Sequence, residues 1–395
     1  MNKSVCRLRR FCAFLAGVTF FMSGIFKLAD PTGTRLIVAE YFKFFHAGFL
    51  GFASGAVGLV LSLLETLAGA ALIINVFRRT AALTVSIMTA FFTILTAILL
   101  IFNPDMSCGC FGKALELSHM QSFIKDLVLC VLCAAAFIPF RDFGSPAKVK
   151  YVAFALVAAG VAGGTIYCAV TLPPVDYTAF APGAELYVED GPSDRPAFGE
   201  REAFIYEKDG RRGTFTLDHL PDSTWTFVGM DTLRRDLPFK EKELAVLTFM
   251  DAEGEYCDRL ATEGNVMAVS VYDPDGLSGH AWKEMPDLKR RLAAAGFRPV
   301  FIFAADTSLE VPEGIEPYFS DYKTLVTLNR SNGGATLISD GTVVRKWARN
   351  FIPDEDGLAS IAKTNPADLA VSTATKGRIR FQAFLLYVFA VMLFL

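Results

Sequence analysis

Two cysteines separated by a single glycine, Cys108-Gly109-Cys110 in the stretch MSCGCFGKALEL, are the residues most suited to covalent chemistry. A Cys-x-Cys pair closes a disulfide only if the backbone between the thiols folds tightly, and Gly109 permits the dihedrals this needs. Such a small ring is strained, relatively oxidising and prone to exchange. Two other readings stand beside a redox dithiol: a pair of metal thiolates, or two inert thiols. Structural zinc takes four ligands, and His119 offers a third with no clear fourth. Cys130 and Cys133 form CVLC, an i,i+3 pair on one helical face. They read as small packing residues, because a thiol in hydrocarbon is a poor nucleophile; a lipid-buried redox pair facing quinone is the other possibility. Cys6, Cys12 and Cys168 read as small apolar fillers. Glu65 interrupts an apolar run, and a carboxyl there is either a functional group, such as a protonatable site or a quinone contact, or a structural one bonded to a neighbouring helix. No HExxH, P-loop, GxSxG or dinucleotide-binding fingerprint is present, and four histidines leave little material for a metal cluster.

The elements that must position these residues divide by composition. Of the 395 residues 52% are hydrophobic and 20% charged, with a mean hydropathy of +0.38. That excludes a disordered chain and argues against nucleic-acid binding. The net charge of −3 conceals an asymmetry. Residues 1–172 hold 14 Lys/Arg and 7 Asp/Glu, whereas residues 173–379 hold 23 and 34. The front half contains runs long enough to cross about 30 Å of hydrocarbon at residues 11–29, 48–77, 81–102, 151–172 and, shorter, 123–140. The first lacks a small-x-small cleavage site and is followed by more spans, so it reads as a span rather than a signal peptide. Residues 381–395 would make about 22 Å of helix, either a short sixth span or an interfacial segment. Gly51 and Gly55, and Gly160 and Gly164, are spaced for close helix contacts.

Loop charges set the orientation. Lys3, Arg7, Arg9, Arg10, Arg78, Arg79, Arg141, Lys148 and Lys150 fall on one side, against Lys27, Arg35, Lys43, Lys113 and Lys125 on the other. The positive-inside rule puts the richer side, with the N-terminus, in the cytoplasm. Residues 173–379 and the Cys108–Cys110 loop then lie outside it, in a Gram-negative bacterium in the periplasm, where disulfides persist.

Residues 173–240 suggest a small β element, with a hairpin of EAFIYE and TFTL around Asp209–Gly210. Residues 241–365 alternate strand and helix: LAVLTFM, NVMAVSVY, the amphipathic HAWKEMPDLKRRLAAAG ending at Gly296, RPVFIFA, then a hairpin of ATLIS and TVVRKW around Asp340–Gly341 and a closing helix near residues 357–363.

Three stretches resemble the DoxX and MauE-type family of four-helix membrane proteins: GVTFFMSGIFKLADPTGTRLIVAEYF, LETLAGAALI and CGCFG. The resemblance covers about residues 10–140 and implies an integral membrane, redox-associated protein, with the redox role falling on Cys108 and Cys110. MauE-like members are linked to disulfide formation in methylamine dehydrogenase maturation. The alternation in 241–365 looks like the thioredoxin fold, and RSNGGATLISDGTVVRKW is similar to its approach to the last hairpin, with Gly333 at the place of the cis-proline. With Phe249 as anchor, Gly254-Glu255-Tyr256-Cys257 falls where the family's CxxC belongs. The first thiol is missing, which implies a degenerate domain without autonomous oxidoreductase activity. Together the two halves resemble bacterial fusion proteins.

The expected fold is therefore a multi-pass all-α transmembrane bundle (residues 1–142, with a fifth helix in 143–172) plus an α/β thioredoxin-like soluble domain at 241–365. A β-rich linker at 173–240 joins them, and a tail follows at 366–395. The expected role is thiol-disulfide exchange or electron relay in the bacterial inner membrane through Cys108 and Cys110, with a periplasmic thiol protein as partner and quinone as candidate acceptor. The alternative is a non-catalytic membrane scaffold whose soluble domain is a binding or assembly module.

Overall fold

A computed structural model describes residues 3–104, 106–138, 146–187, 201–208, 211–215, 225–233, 245–305 and 309–394. Six of its helices are long and apolar enough to cross a membrane. Five belong to the front half: α1 (Lys3–Ala29), α3 (Ser54–Ile74, entered through a 3₁₀ turn at Gly48–Ala53), α4 (Arg78–Phe102), α5 (His119–Phe137) and α6 (Lys148–Val170). α1 and α3 cross at backbone contact. A Cβ on Gly24 would overlap Thr66, and one on Gly69 would lie 2.5 Å from the Phe21 nitrogen. These, rather than the expected pairs, are the tight crossings: Gly51 and Gly160 have open space at the Cβ position, Gly55 meets only the Arg35 side chain, and Gly164 only the Phe384 ring. Phe20, Phe21, Ile25, Ala70, Ile74 and Val85 fill the bundle core.

One end of the bundle is tied by basic side chains on helix carbonyls. Arg9 Nε donates to Ala136 O at 3.0 Å and Lys150 Nζ to Ile74 O at 3.1 Å, both at helix C-termini, where cations are favoured. At the other end lies a helix that the sequence reading left as loop, α2 (Pro31–Phe44). It begins on an Asp30 cap, whose carboxylate accepts from Gly33 N at 2.8 Å, with Pro31 in the first turn. Lys27 and Lys125, counted as loop charges, sit inside α1 and α5.

Beyond the bundle, whose α4–α5 loop carries the short strand β1 (Cys110–Lys113), β2 (Arg201–Lys208), β3 (Arg211–Phe215) and β4 (Thr226–Leu233) form a small antiparallel sheet in the order β3-β2-β4. The hairpin turn at Asp209–Gly210 lies outside the described residues. The larger sheet has five strands in the order β7-β6-β5-β8-β9. β5 (Asn265–Val271), α7 (Gly279–Ala294) and β6 (Arg298–Phe303) make a parallel crossover, and the short β7 (Pro317–Phe319) extends it. After α8 (Tyr322–Leu328), β8 (Gly334–Ser339) pairs antiparallel with β5, and β9 (Thr342–Trp347) with β8. α9 (Glu355–Ala362) follows.

Two expectations change here. LAVLTFM is not a strand of this sheet; Ala245 and Met250 make isolated bridges only. The central strand is β5, and the loop leading from it to α7 runs through residues 272–278. Gly254 instead occupies a left-handed turn, at φ +87°, and Cys257 precedes a single 3₁₀ turn, Asp258–Ala261. Gly333, whose nitrogen donates to Ser270 O at 2.7 Å, stands beside the end of β5 and far in topology from Gly254–Cys257.

The last helix, α10 (Pro366–Phe394), is continuous. Leu369 and Ala370 pack in the α/β core, while Phe381, Val388, Val391 and Met392 pack in the bundle core. The α/β domain is further fastened to the α2 end of the bundle. Arg330, almost fully buried, pairs with Asp30 at 3.0 Å, and Lys346 pairs with Asp176 at 2.6 Å.

Candidate functional site

Cys108 and Cys110 lie at this same end, in the loop between α4 and α5. Asn103 in a left-handed C-cap stops α4. A capping box of Ser118 and Gln121 starts α5. Between them, His119 Nε2 holds Pro104 O at 3.0 Å. Gly109 has φ +67°, and a Cβ there would come within 2.6 Å of Ile37 on α2, so this position requires glycine on two counts. The tight turn brings the two sulfurs to 3.0 Å. Cys108 is buried and Cys110 half-buried.

Polar side chains of α1 and α2 bond this turn directly, and charged groups of α3 and α5 stand behind them. α2 contributes Ile37 and, one turn on, Tyr41, whose hydroxyl donates to Cys108 O at 2.6 Å. α1 contributes Ser23 and Lys27, also one turn apart. The Ser23 hydroxyl lies 2.7 Å from both Cys110 O and Glu65 Oε2, and its single proton serves one of them at a time. Lys27 Nζ reaches the two Glu65 oxygens at 2.6 and 2.8 Å, with Glu65 on α3 almost fully buried. From α5, Lys125 pairs with Asp126 at 2.8 Å and lies over the Phe111 ring. Asp126 in turn accepts from Thr96 of α4 at 3.0 Å. Glu65 is thus bonded to a neighbouring helix, and it stands one hydroxyl away from the cysteine loop.

The electrostatics separate the two thiols. A hydrogen bond from the Cys110 thiol outweighs the opposing effect of burial and, helped by the Ser122 hydroxyl and by Lys125, lowers the Cys108 pKa to about 6. Cys110 is shifted the other way, because it holds the shared proton and is buried, although Lys125 and Lys27 oppose this. Burial, with Cys108 close by, pushes the Tyr41 phenol well above its ordinary range, so it remains a donor. The arrangement can carry a thiolate on Cys108 and a proton on Cys110 at neutral pH. A cavity beside it, lined by Ser23, Thr89, Lys125 and Asp126 among others, has a volume of about 10 Å³, room for one water and not for a quinone ring.

The other cysteines are held elsewhere. Cys130 and Cys133 do share a face of α5, and there they meet Thr93 at 3.3 Å and Thr89 at 3.7 Å on α4. Cys257 contacts Glu255 O and Asp251 within its own turn, and burial together with Asp251 raises its pKa. The sequence reading missed Ser23, Lys27, Tyr41, Ser122, Lys125 and Asp126. The available signal was the charge within apolar helices: Lys27, Glu65, Lys125 and Asp126 are costly there unless paired.

Residues 6–139, about a third of the chain, match the family model described as Methylamine utilisation protein MauE. Residues 203–233 match one described as a domain of unknown function, DUF8463. No curated protein and no solved structure matches the chain.

Proposed function

We propose that the chain is a membrane thiol-disulfide exchange protein acting through Cys108 and Cys110 on an extracytoplasmic dithiol protein. The observation that carries this is the 3.0 Å sulfur pair, with its split protonation, in a turn whose cysteine carbonyls accept from Tyr41 of α2 and Ser23 of α1. Exchange starts from the Cys108–Cys110 disulfide. A partner thiolate attacks Cys110, the less buried residue of the pair, and forms a mixed disulfide. The bond to Cys108 breaks, and Cys108 leaves as the thiolate that its surroundings stabilise; a thiol of lower pKa leaves faster. The partner's second thiolate then attacks its own mixed-disulfide sulfur and releases Cys110, which takes up a proton. Two electrons pass from partner to pair, and the partner leaves as a disulfide.

The match to MauE supports a redox or assembly role for the bundle; the family's methylamine context is not carried over as a substrate. The soluble part is read as a thioredoxin-like module without exchange chemistry of its own. Its strand order and the loop after its central strand agree with that fold, and residues 272–278 contain no cysteine. With the N-terminus cytoplasmic, the module and the cysteine loop both lie on the periplasmic side of an inner membrane.

The test is mass-tagged maleimide labelling in native membranes. Two tags on Cys108 and Cys110 should appear only after reduction in part of the population. In the reduced protein, Cys108 alkylation should rise through a midpoint near pH 6, and Cys110→Ser should move that midpoint up toward the ordinary thiol range. A pair that stays fully reduced under oxidising growth defeats the proposal and leaves the scaffold reading.

A further inference from the structure

A groove of about 1240 Å³ runs between α6, α10 and the edge of the α/β domain at β9. Small-molecule pockets usually have about 300–1000 Å³. Its two ends differ. The end within the bundle is apolar: Gly160 and Gly163 of α6 line it with no atom within 4 Å of a Cβ placed on either, while a Cβ on Gly164 would meet the Phe384 ring of α10 at 3.3 Å. The other end is cationic: Arg345 from β9 with Lys376, Arg378 and Arg380 from α10. α10 is held here by contact with the chain leaving α6, since a Cβ on Gly377 would overlap the Pro174 carbonyl oxygen.

Among the described residues the cationic end is uncompensated. Among the described residues, Asp176 in the groove wall is taken by Lys346, and Asp30 nearby by Arg330. None of Arg345, Lys376, Arg378 and Arg380 has a carboxylate within ion-pair distance among those residues. Arg345 lies over the Trp347 ring, 5.1 Å from its centre, and burial and the neighbouring Arg380 both disfavour its charge. Four cations converging over an apolar channel are complementary to an anionic head on a hydrocarbon chain. They also stand where the positive-inside rule would leave few.

We propose that this groove is a binding site for an anionic phospholipid, its phosphate held by Arg345, Arg378 and Arg380 and an acyl chain lying along the glycine floor of α6. Basic pockets between membrane helices bind phosphate headgroups in this way. The site is separate from the cysteine loop, and it holds whether or not Cys108 and Cys110 exchange.

The test uses the full chain in nanodiscs of phosphatidylcholine containing one part in five phosphatidylglycerol, with lipid retained on detergent release counted by native mass spectrometry. The ratio of phosphatidylglycerol to phosphatidylcholine on the protein should exceed that of the disc by about tenfold. Arg345→Gln with Arg380→Gln should bring the ratio back to the disc composition, with folding checked by thermal unfolding. Gly163→Leu fills the floor and leaves every charge in place, and it should also lower the enrichment. Equal retention by wild type and the arginine variant, enrichment of phosphatidylcholine, or loss of bound lipid on adding inorganic phosphate alone would overturn the proposal. Undiminished enrichment in Gly163→Leu would overturn the placement of the chain.

Discussion

At the residue scale, the decisive arrangement is the pairing of charges that a membrane helix can hold only in company. Lys27 and Glu65 are each expensive in an apolar bundle; together they neutralise one another and, through Ser23, reach the carbonyl of Cys110. Lys125 and Asp126 repeat the pattern on the opposite wall. Each lysine favours a thiolate at the cysteine turn, and each carboxylate keeps its lysine in place. Removing one partner should therefore cost more than removing both. Glu65→Ala strands an ammonium group, which for a buried pair costs about 3–5 kcal/mol, whereas Lys27→Met with Glu65→Leu should recover most of that loss. Thermal unfolding in detergent checks this, read alongside maleimide labelling of the cysteines. Equal destabilisation by the single and double variants would mean that the pair carries no coupling.

At the element scale, α10 and the Arg330–Asp30 bridge turn two domains into one body. Arg330 spends its donors on both sides of the junction: Asp30 in the α2 cap and Val326 O in its own domain. Arg330→Ala should raise amide exchange in the first turn of α2 and around residues 329–333 by roughly tenfold, the effect of losing a charge-assisted bond of ~1.5–3 kcal/mol. The membrane half of α10 should stay protected. Hydrogen exchange with mass spectrometry reads both, and uniform loosening of α10 would contradict the division of labour. These elements were legible to different degrees. The spans were visible as length and apolarity, α7 by its amphipathic pattern and Gly296 stop, and the β8–β9 hairpin by Asp340–Gly341, both at positive φ. α2 was not, because at 14 residues, with Arg35, Glu40 and Lys43 among them, it is too short and too polar for a span. The run at 245–250 shows a different limit. Ala245, Leu247 and Phe249 are buried and Val246 is exposed, so the two-residue period is real, yet only isolated bridges form. Periodicity reports which face is covered, and not whether a neighbouring strand is there to pair. The Cys108–Cys110 pair was legible from spacing alone; its polar shell was not, since Ser23, Tyr41 and Ser122 are remote in sequence and ordinary in type.

At the scale of the whole molecule, the cysteine turn and the α/β domain occupy one end of the bundle, and Arg9, Arg78, Arg79 and Lys150 mark the other. The domain does not hang on a free tether. Tyr272, at the mouth of the loop after β5, donates to Arg330 O, and Arg330 is locked to the α2 cap. The mouth of that loop is thus turned toward the membrane half of the chain. On the proposed function, a partner would approach Cys110 past the outer ends of α4 and α5. This yields a geometric expectation that does not depend on the chemistry. Cysteines placed at Glu284, exposed on α7, and at Arg79, exposed at the start of α4, should be labelled by a membrane-impermeant maleimide from opposite sides of sealed vesicles. The Cys108–Cys110 loop, after reduction, should label from the Glu284 side in a background lacking the other cysteines. On the proposed orientation that side is the periplasmic one. Labelling of Glu284→Cys and Arg79→Cys from the same side would break the six-span reading. Labelling of the loop from the Arg79 side would separate it from the α/β domain, and with it remove the route by which an extracytoplasmic thiol protein reaches the pair.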